Sequence, residues 1–253
     1  MHLVKFIATA GVASRRKSED LIKSGHVSIG GRTVTDPAKA VSDSDKVRVD
    51  NRLVTYDPRK YYALNKPIGV ISTAKDTHGR KKVTDLIRGK GRLYPVGRLD
   101  ADTSGLIILT NDGDLADKLT HPRYEVPKTY RVTVWRQIPA TSLQRLRKGV
   151  ELSDGVTLPA KAKMIREVAG NSIIELTLKE GRNRQVRRMM QALGHPVLGL
   201  QRIKLGTLQL GELPEGQARE LEAREVVALR KLAAPTPRKK PATAVSKKPR
   251  RRS

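Results

Sequence analysis

The chain has no cysteine, one phenylalanine and one tryptophan. Without cysteine it makes no disulfide, offers no thiolate nucleophile and holds no cysteine-ligated zinc. Aromatic residues make up 3% of the chain, too few for a sheet platform that stacks successive bases on exposed rings. Each tyrosine is therefore conspicuous, Tyr130 above all. Acidic residues are outnumbered, 25 Asp and Glu against 51 Lys and Arg, and the formal charge of +26 makes a polyanion the expected partner, nucleic acid first. Also missing are an apolar run of the roughly 20 residues a membrane span needs and an amino-terminal apolar stretch with a small-residue cleavage site. Those absences set the membrane aside and predict a soluble, cytoplasmic protein. His2, His26, His78, His121 and His195 lie far apart without ligand spacing, so no metal is expected. Nor is there a glycine fingerprint for a nucleotide cofactor.

What is present reads first as a small unit. Leu3, Phe6, Ile7 and Ala10 recur at helical spacing, and Gly11 sits where a left-handed residue ends a helix. Ser14 can cap a second helix, Arg15 to Lys23, that turns Leu21 and Ile22 inward, presents Arg15, Arg16, Lys17 and Lys23 to solvent, and closes at Gly25. Val27-Ser28-Ile29, Gly30-Gly31 and Arg32-Thr33-Val34 read as a hairpin with a two-residue turn, and Val47-Arg48-Val49 adds a strand. A basic helix pair followed by a Gly-Gly hairpin resembles the S4 RNA-binding module, expected over residues 1–56, with Arg15, Arg16 and Lys17 as RNA contacts.

Asp57-Pro58-Arg59-Lys60 breaks the pattern as a linker, and a second domain is expected over residues 61–232. Strand signals fall at Tyr61 to Leu64, Leu106 to Thr110, Thr129 to Val134 and Ser172 to Leu178. Helix signals fall at Asp114 to Leu119, Thr141 to Lys148, Gln185 to Leu193 and Leu221 to Leu232. Because strands and helices do not alternate one for one, an α+β domain on a mixed, largely antiparallel sheet is predicted rather than a doubly wound parallel one. Arg238, Lys239, Lys240, Lys247, Lys248, Arg250, Arg251 and Arg252 share the segment Pro235 to Ser253 with no acid. This predicts a disordered basic tail over 233–253 that adds phosphate contacts. Without those eight charges the chain still carries +18, so the polyanionic partner does not depend on the tail.

The most informative run is Gly97-Arg98-Leu99-Asp100-Ala101-Asp102-Thr103-Ser104-Gly105-Leu106, which sets a carboxylate between an arginine and a tight turn ahead of the apolar strand Leu106 to Leu109. As a calcium loop it fails, because position twelve is Asn111 where a bidentate Glu is needed, and Pro95 and Gly97 spoil the entering helix. As a phosphate-accepting Asp-x-Asp site it lacks the long buried strand before Asp100. A turn aspartate is the plainest alternative. Two further runs accompany it: Lys128-Thr129-Tyr130-Arg131-Val132, where Tyr130 could be an ordinary strand aromatic, and Glu180-Gly181-Arg182-Asn183-Arg184-Gln185-Val186-Arg187-Arg188-Met189. The latter is a loop entering a basic helix, an arrangement that suits phosphate.

These three runs, in this order, resemble the catalytic signatures of the RsuA/RluB family of ribosomal RNA pseudouridine synthases. Gly216-Gln217-Ala218-Arg219-Glu220-Leu221 is a weaker fourth match, and the resemblance covers nearly everything before Pro235. His2, where the family commonly has a basic residue, is a departure that touches no catalytic position. Pseudouridine formation breaks the N1 glycosidic bond, turns the uracil and rejoins it through C5, with no redox change and no outside group, so the resemblance implies no cofactor. It implies Asp100 as the catalytic carboxylate, nucleophile or base, kept ionised in a site closed to water by an adjacent cation. Tyr130 would pack on the target base and handle its proton. The pairing cation is placed at Arg187, with Arg188 directly after it as the alternative. Arg98 would fill the gap left by a flipped-out uridine, and Lys128, Arg182, Arg184 and Arg188 would bind RNA. The implied partner is ribosomal RNA or a pre-ribosomal particle, met by a monomer. An RluB-like arrangement with a basic tail favours large-subunit (23S) over small-subunit (16S) RNA, and a noncatalytic RNA-binding ribosome-assembly factor is the competing reading.

Overall fold

The computed structural model describes residues 1–42, 44–55, 57–74, 76–87 and 91–232; the expected tail, 233–253, lies outside them. At the amino end, α1 (Leu3–Thr9) and α2 (Arg15–Lys23) pack on a sheet ordered β2-β1-β3-β4. Its strands are β1 (Val27–Ile29), β2 (Arg32–Thr33), β3 (Val47–Val49) and β4 (Arg52–Leu53). The helical periodicity does what it predicted, since Leu3, Phe6, Ile7 and Ile22 join Val27, Val41, Val47 and Val49 in one core. Ser14 accepts from the Lys17 N–H at 3.2 Å, which satisfies one of the free donors of the first turn. Gly30 and Gly31, at φ 56° and 85°, make the left-handed pair that a two-residue hairpin requires. A second such turn, Asp50-Asn51 at φ 46° and 63°, leads into β4, a strand the sequence reading missed.

The larger sheet has the order β13-β5-β7-β11-β8-β10-β9, with short β6 on β7 and β12 on β11. In chain order its elements are β5 (Tyr61–Lys66), β6 (Tyr94–Pro95), β7 (Ser104–Thr110), α3 (Gly113–Thr120), β8 (Lys128–Val134), α4 (Ala140–Lys148), β9 (Lys161–Val168), β10 (Asn171–Leu178), α5 (Gln185–Ala192), β11 (Val197–Leu205), β12 (Leu208–Gln209), β13 (Ala218–Glu220) and α6 (Ala223–Leu232). Pairing is antiparallel except between β7 and β11, so the predicted mixed, largely antiparallel sheet is observed. Five strands, β6, β9, β11, β12 and β13, were not predicted. The last lies just ahead of the expected helix from Leu221: Ala218 to Glu220 pair with β5, and the helix is present but starts two residues later, at Ala223.

Every residue of β7 is buried, and its side chains divide between two cores according to the two-residue strand period. Leu106 and Ile108 join Ala63, Leu115, Leu119 and Leu229 on one face, while Ile107 and Leu109 join Tyr62, Leu64, Val70 and Leu99 on the other. Each buried leucine, isoleucine or valine among them stabilises the fold by roughly 1.5–3 kcal/mol relative to exposure. On the far side of β11, β8 and β10 pack Val132, Val134, Ile174 and Leu176 against Val186, Met189 and Met190 of α5. The loop before β7 and the loop before α5 are thereby brought against the same part of the sheet.

Candidate active site

Asp100 sits in the loop that runs into β7. Leu99, 5% exposed, is its hydrophobic anchor, which leaves Arg98 and Asp100 on either side facing outward. The loop is held by the segment after β5: Ser72 donates its hydroxyl to the Leu99 carbonyl at 2.9 Å and accepts from the Leu99 N–H at 3.1 Å, and the Gly69 N–H donates to the Ala101 carbonyl at 2.8 Å. A turn bond from the Thr103 N–H to the Asp100 carbonyl, 3.0 Å, closes it. Directly after, Gly105 at φ +103° lies so close to β11 that a Cβ there would overlap the Arg202 carbonyl oxygen. Only glycine fits that crossing.

Beneath the loop, Lys66 is fully buried and donates to the Pro67 and Val70 carbonyls at 2.9 and 2.7 Å. Burial lowers its pKa to about 8, against the opposing pull of Asp102 and Asp100. Neither Lys66 nor Ser72 was picked out from the sequence, although a lysine inside an apolar strand just before proline is a detectable oddity.

A cleft of about 280 Å³ is lined by Arg98, Asp100, Lys128, Tyr130, Arg182, Arg184 and Arg187, among others. All three predicted signatures thus meet in one place. Tyr130 is half-buried and packs at the junction of two hydrophobic cores. Arg188 points elsewhere, to Asp154 at 2.6 Å. Arg15, Arg16 and Lys17 are exposed on α2, as predicted.

The charge pairing departs from expectation. Arg184, at the left-handed residue (φ 47°) just before α5, is the arginine that reaches Asp100, at 3.6 Å, and it also holds Asp102 at 3.0 Å. Arg187 meets Asp102 instead, at 3.2 Å to its carboxylate and 2.8 Å to its carbonyl. A left-handed residue bends the chain in a way that counting positions along a helix does not anticipate. For Asp102, burial raises the carboxyl pKa, but the Arg184 hydrogen bond and the charges of Arg187 and Arg184 outweigh it, holding the group below the usual carboxylate range. Asp102 is the hub that the sequence reading passed over. Asp100 is also less enclosed than expected: 43% of its side chain is exposed.

Arg182 is anchored within the protein, donating to Glu180, to the Gly155 and Val156 carbonyls at 2.8 and 2.7 Å, and to Asp154. Gln185 links that loop together, accepting from the Arg182 N–H at 3.0 Å and donating to Glu180. Lys128 and Arg202 complete the cleft on the sheet side; Arg202, 2% exposed, donates to the Leu106 carbonyl at 2.7 Å.

A carboxylate and an aromatic ring in a cleft walled by arginines, behind a small basic helix-and-hairpin unit, define an RNA-acting protein. Residues 60–192 match the RNA pseudouridylate synthase family and residues 1–47 the S4 domain, and the chain belongs to that synthase family. It is similar to the ribosomal large subunit pseudouridine synthase B of Bacillus subtilis (strain 168), 51% identical over 203 residues, covering 79% of this chain and 83% of that one. The protein of the same name from Haemophilus influenzae is 40% identical over 215 residues, 81% of this chain and 59% of that one. Among solved structures, one described as the crystal structure of pseudouridylate synthase superposes with a TM-score of 0.65 at 33% identity, covering 90% of this chain and 99% of that one.

Proposed function

We propose that this protein isomerises a specific uridine of large-subunit (23S) ribosomal RNA to pseudouridine, with Asp100 as the catalytic carboxylate. The observation that carries the reading is the convergence of Asp100, Tyr130 and Arg184 on one cleft. The family membership and the names of the relatives support the reaction and the RNA. In this reading the uridine is flipped into the cleft, an extrusion costing a few kcal/mol that Arg98 offsets by occupying the space left in the RNA. Asp100 acts on the ribose carbon or the ring while Tyr130 stacks on the base and handles its proton. Arg184 meets the Asp100 carboxylate directly, and Arg187 acts one step removed, by fixing Asp102.

Exposure of Asp100 in the free protein fits a site that the RNA itself closes, and drying on binding would strengthen the Asp100–Arg184 attraction. Ribosomal RNA as substrate places the work in the cytoplasm, carried out by a monomer whose α2 face, with Arg15, Arg16 and Lys17, adds RNA contacts. Among the described residues no helix is long and apolar enough to cross a membrane. The test is pseudouridine mapping of ribosomal RNA from cells lacking the gene and from the same cells carrying the wild type or Asp100→Asn. One 23S site should disappear, return with the wild type and stay absent with the variant. An unchanged map would refute the proposal.

A further inference from the structure

We propose that Arg202 and Lys128 form a cationic seat that holds the uracil ring by its carbonyl oxygens while it is detached from the ribose. This rests on reading the cleft as a pseudouridine-forming site. Arg202 stands opposite Tyr130 across the β11–β8 pairing, and Lys128 lies two positions before Tyr130 on the same strand, so all three share one face of the sheet. All three line the cleft.

Among the described residues these two cations have no acid paired with them. Arg202 donates one bond, to the Leu106 carbonyl, and its Nη2 is buried with no partner. Lys128 donates to the Val126 carbonyl at 3.1 Å. Among the described residues neither enters an ion pair. Burial lowers the Lys128 pKa to about 8, and the neighbouring Arg202 charge pushes the same way. Two like charges desolvated side by side, one with an unused donor, oppose folding. Arg182 and Arg188, by contrast, are paired with carboxylates. A defect of this kind in a cleft is expected where a ligand supplies the missing negative charge.

The reaction supplies that charge transiently. When the C1′–N1 bond breaks, its electron pair stays on N1 and spreads to O2 and O4, so the ring becomes a uracilate anion facing an electron-poor ribose carbon. The ring turns, C5 bonds to C1′, the C5 proton is lost to a base and N1 takes up a proton. No oxidant or second reactant is needed. Donors buried beneath the ring contact the carbonyl oxygens in either orientation and hold the anion while it turns. They bind the charged ring better than the neutral uridine, which is how a site accelerates a reaction rather than merely binding its substrate. Depth argues for the base over the RNA backbone: Arg98 is exposed at the cleft and available for phosphates, whereas Arg202 is 2% exposed.

The test compares wild type, Arg202→Met, Arg202→Lys and Lys128→Met in three measurements: single-turnover rate at saturating enzyme, RNA affinity with its salt slope, and binding of uracil against 5-nitrouracil, whose ring is an anion at neutral pH. Arg202→Met should slow turnover by roughly 100-fold or more with RNA affinity and salt slope unchanged, and Arg202→Lys should recover part of the rate. Wild type should prefer 5-nitrouracil to uracil and Arg202→Met should not. If Arg202→Met does not fold, Lys128→Met must show the same separation of rate from affinity. A weakened RNA affinity with a shallower salt slope and a normal saturated rate would assign Arg202 to a phosphate and overturn the seat, as would a wild type with no preference for the anionic ring. An enzyme inactive on every RNA that still prefers that ring would instead refute the proposed function.

Discussion

Asp100 and Asp102 are two positions apart and share Arg184, yet their surroundings differ. Asp102 is held by both Arg184 and Arg187, whereas Asp100 has one longer contact and faces the cleft. Asp100→Asn should therefore lower single-turnover activity on the target RNA by about 10,000-fold while RNA affinity stays near wild type; normal turnover would end its catalytic role. Tyr130→Phe keeps the ring and removes the hydroxyl, so the rate should fall by about 100-fold with little change in binding, and an unchanged rate would leave Tyr130 as core packing. Lys66 sets a pH signature. Its folded pKa of about 8 lies below the ordinary 10.5, so between those values the unfolded chain carries a proton that the folded chain has released. Stability should rise with pH across that window, and chemical denaturation should show a smaller rise in Lys66→Met.

Among the elements, the β7–β11 crossing is the most sensitive. Gly105→Ala combines a positive φ with a Cβ inside the Arg202 backbone, so a loss of roughly 2 kcal/mol or more is expected. Activity should fall with it, because the Asp100 loop enters β7 there. At the far end of β7, Asp112 caps α3 and accepts from Tyr61 and Arg230 at 2.8 and 3.0 Å while pairing with Arg59 at 2.6 Å, its side chain 4% exposed. Burial raises its carboxyl pKa, but the Tyr61 bond, the Leu115 N–H and the arginines pull harder and lower it. Asp112 thus contributes stability above the ordinary carboxylate range that is lost as pH falls through and below it. Asp112→Ala should cost about 3 kcal/mol or more at neutral pH, measured by urea unfolding. The elements the sequence revealed are those with one buried face, a continuous apolar run or strong ends, such as α1, β7 and α2. Strand β9 went unread because most of its residues are exposed, and β11 because an internal glycine and a register shift beside Arg202 disturb its alternation.

For the molecule as a whole, charge dominates. Two basic units act on one polyanion, and Lys5 of α1 reaches Asp114 of α3 at 2.7 Å, a partly exposed pair worth at most about 1 kcal/mol. Removing residues 235–253 deletes eight cationic side chains and no acid. Log affinity plotted against log salt should flatten by about 0.7 for every single-strand phosphate that the tail no longer neutralises, while the modified uridine stays the same. A shift of the modified site in the truncated protein would show that the tail contributes to target choice.

By itself the sequence determined the kind of partner, since net charge is a sum over composition, and it determined the helices, turns and motifs whose signals are local in the chain. Only the tertiary structure decided who meets whom. That Arg184 rather than Arg187 touches Asp100 depends on one left-handed residue ahead of α5, and that Lys66, Ser72 and Arg202 surround the same loop depends on strand order. Pairing between strands far apart in the chain is fixed by packing many side chains at once, and no single stretch of residues carries that information.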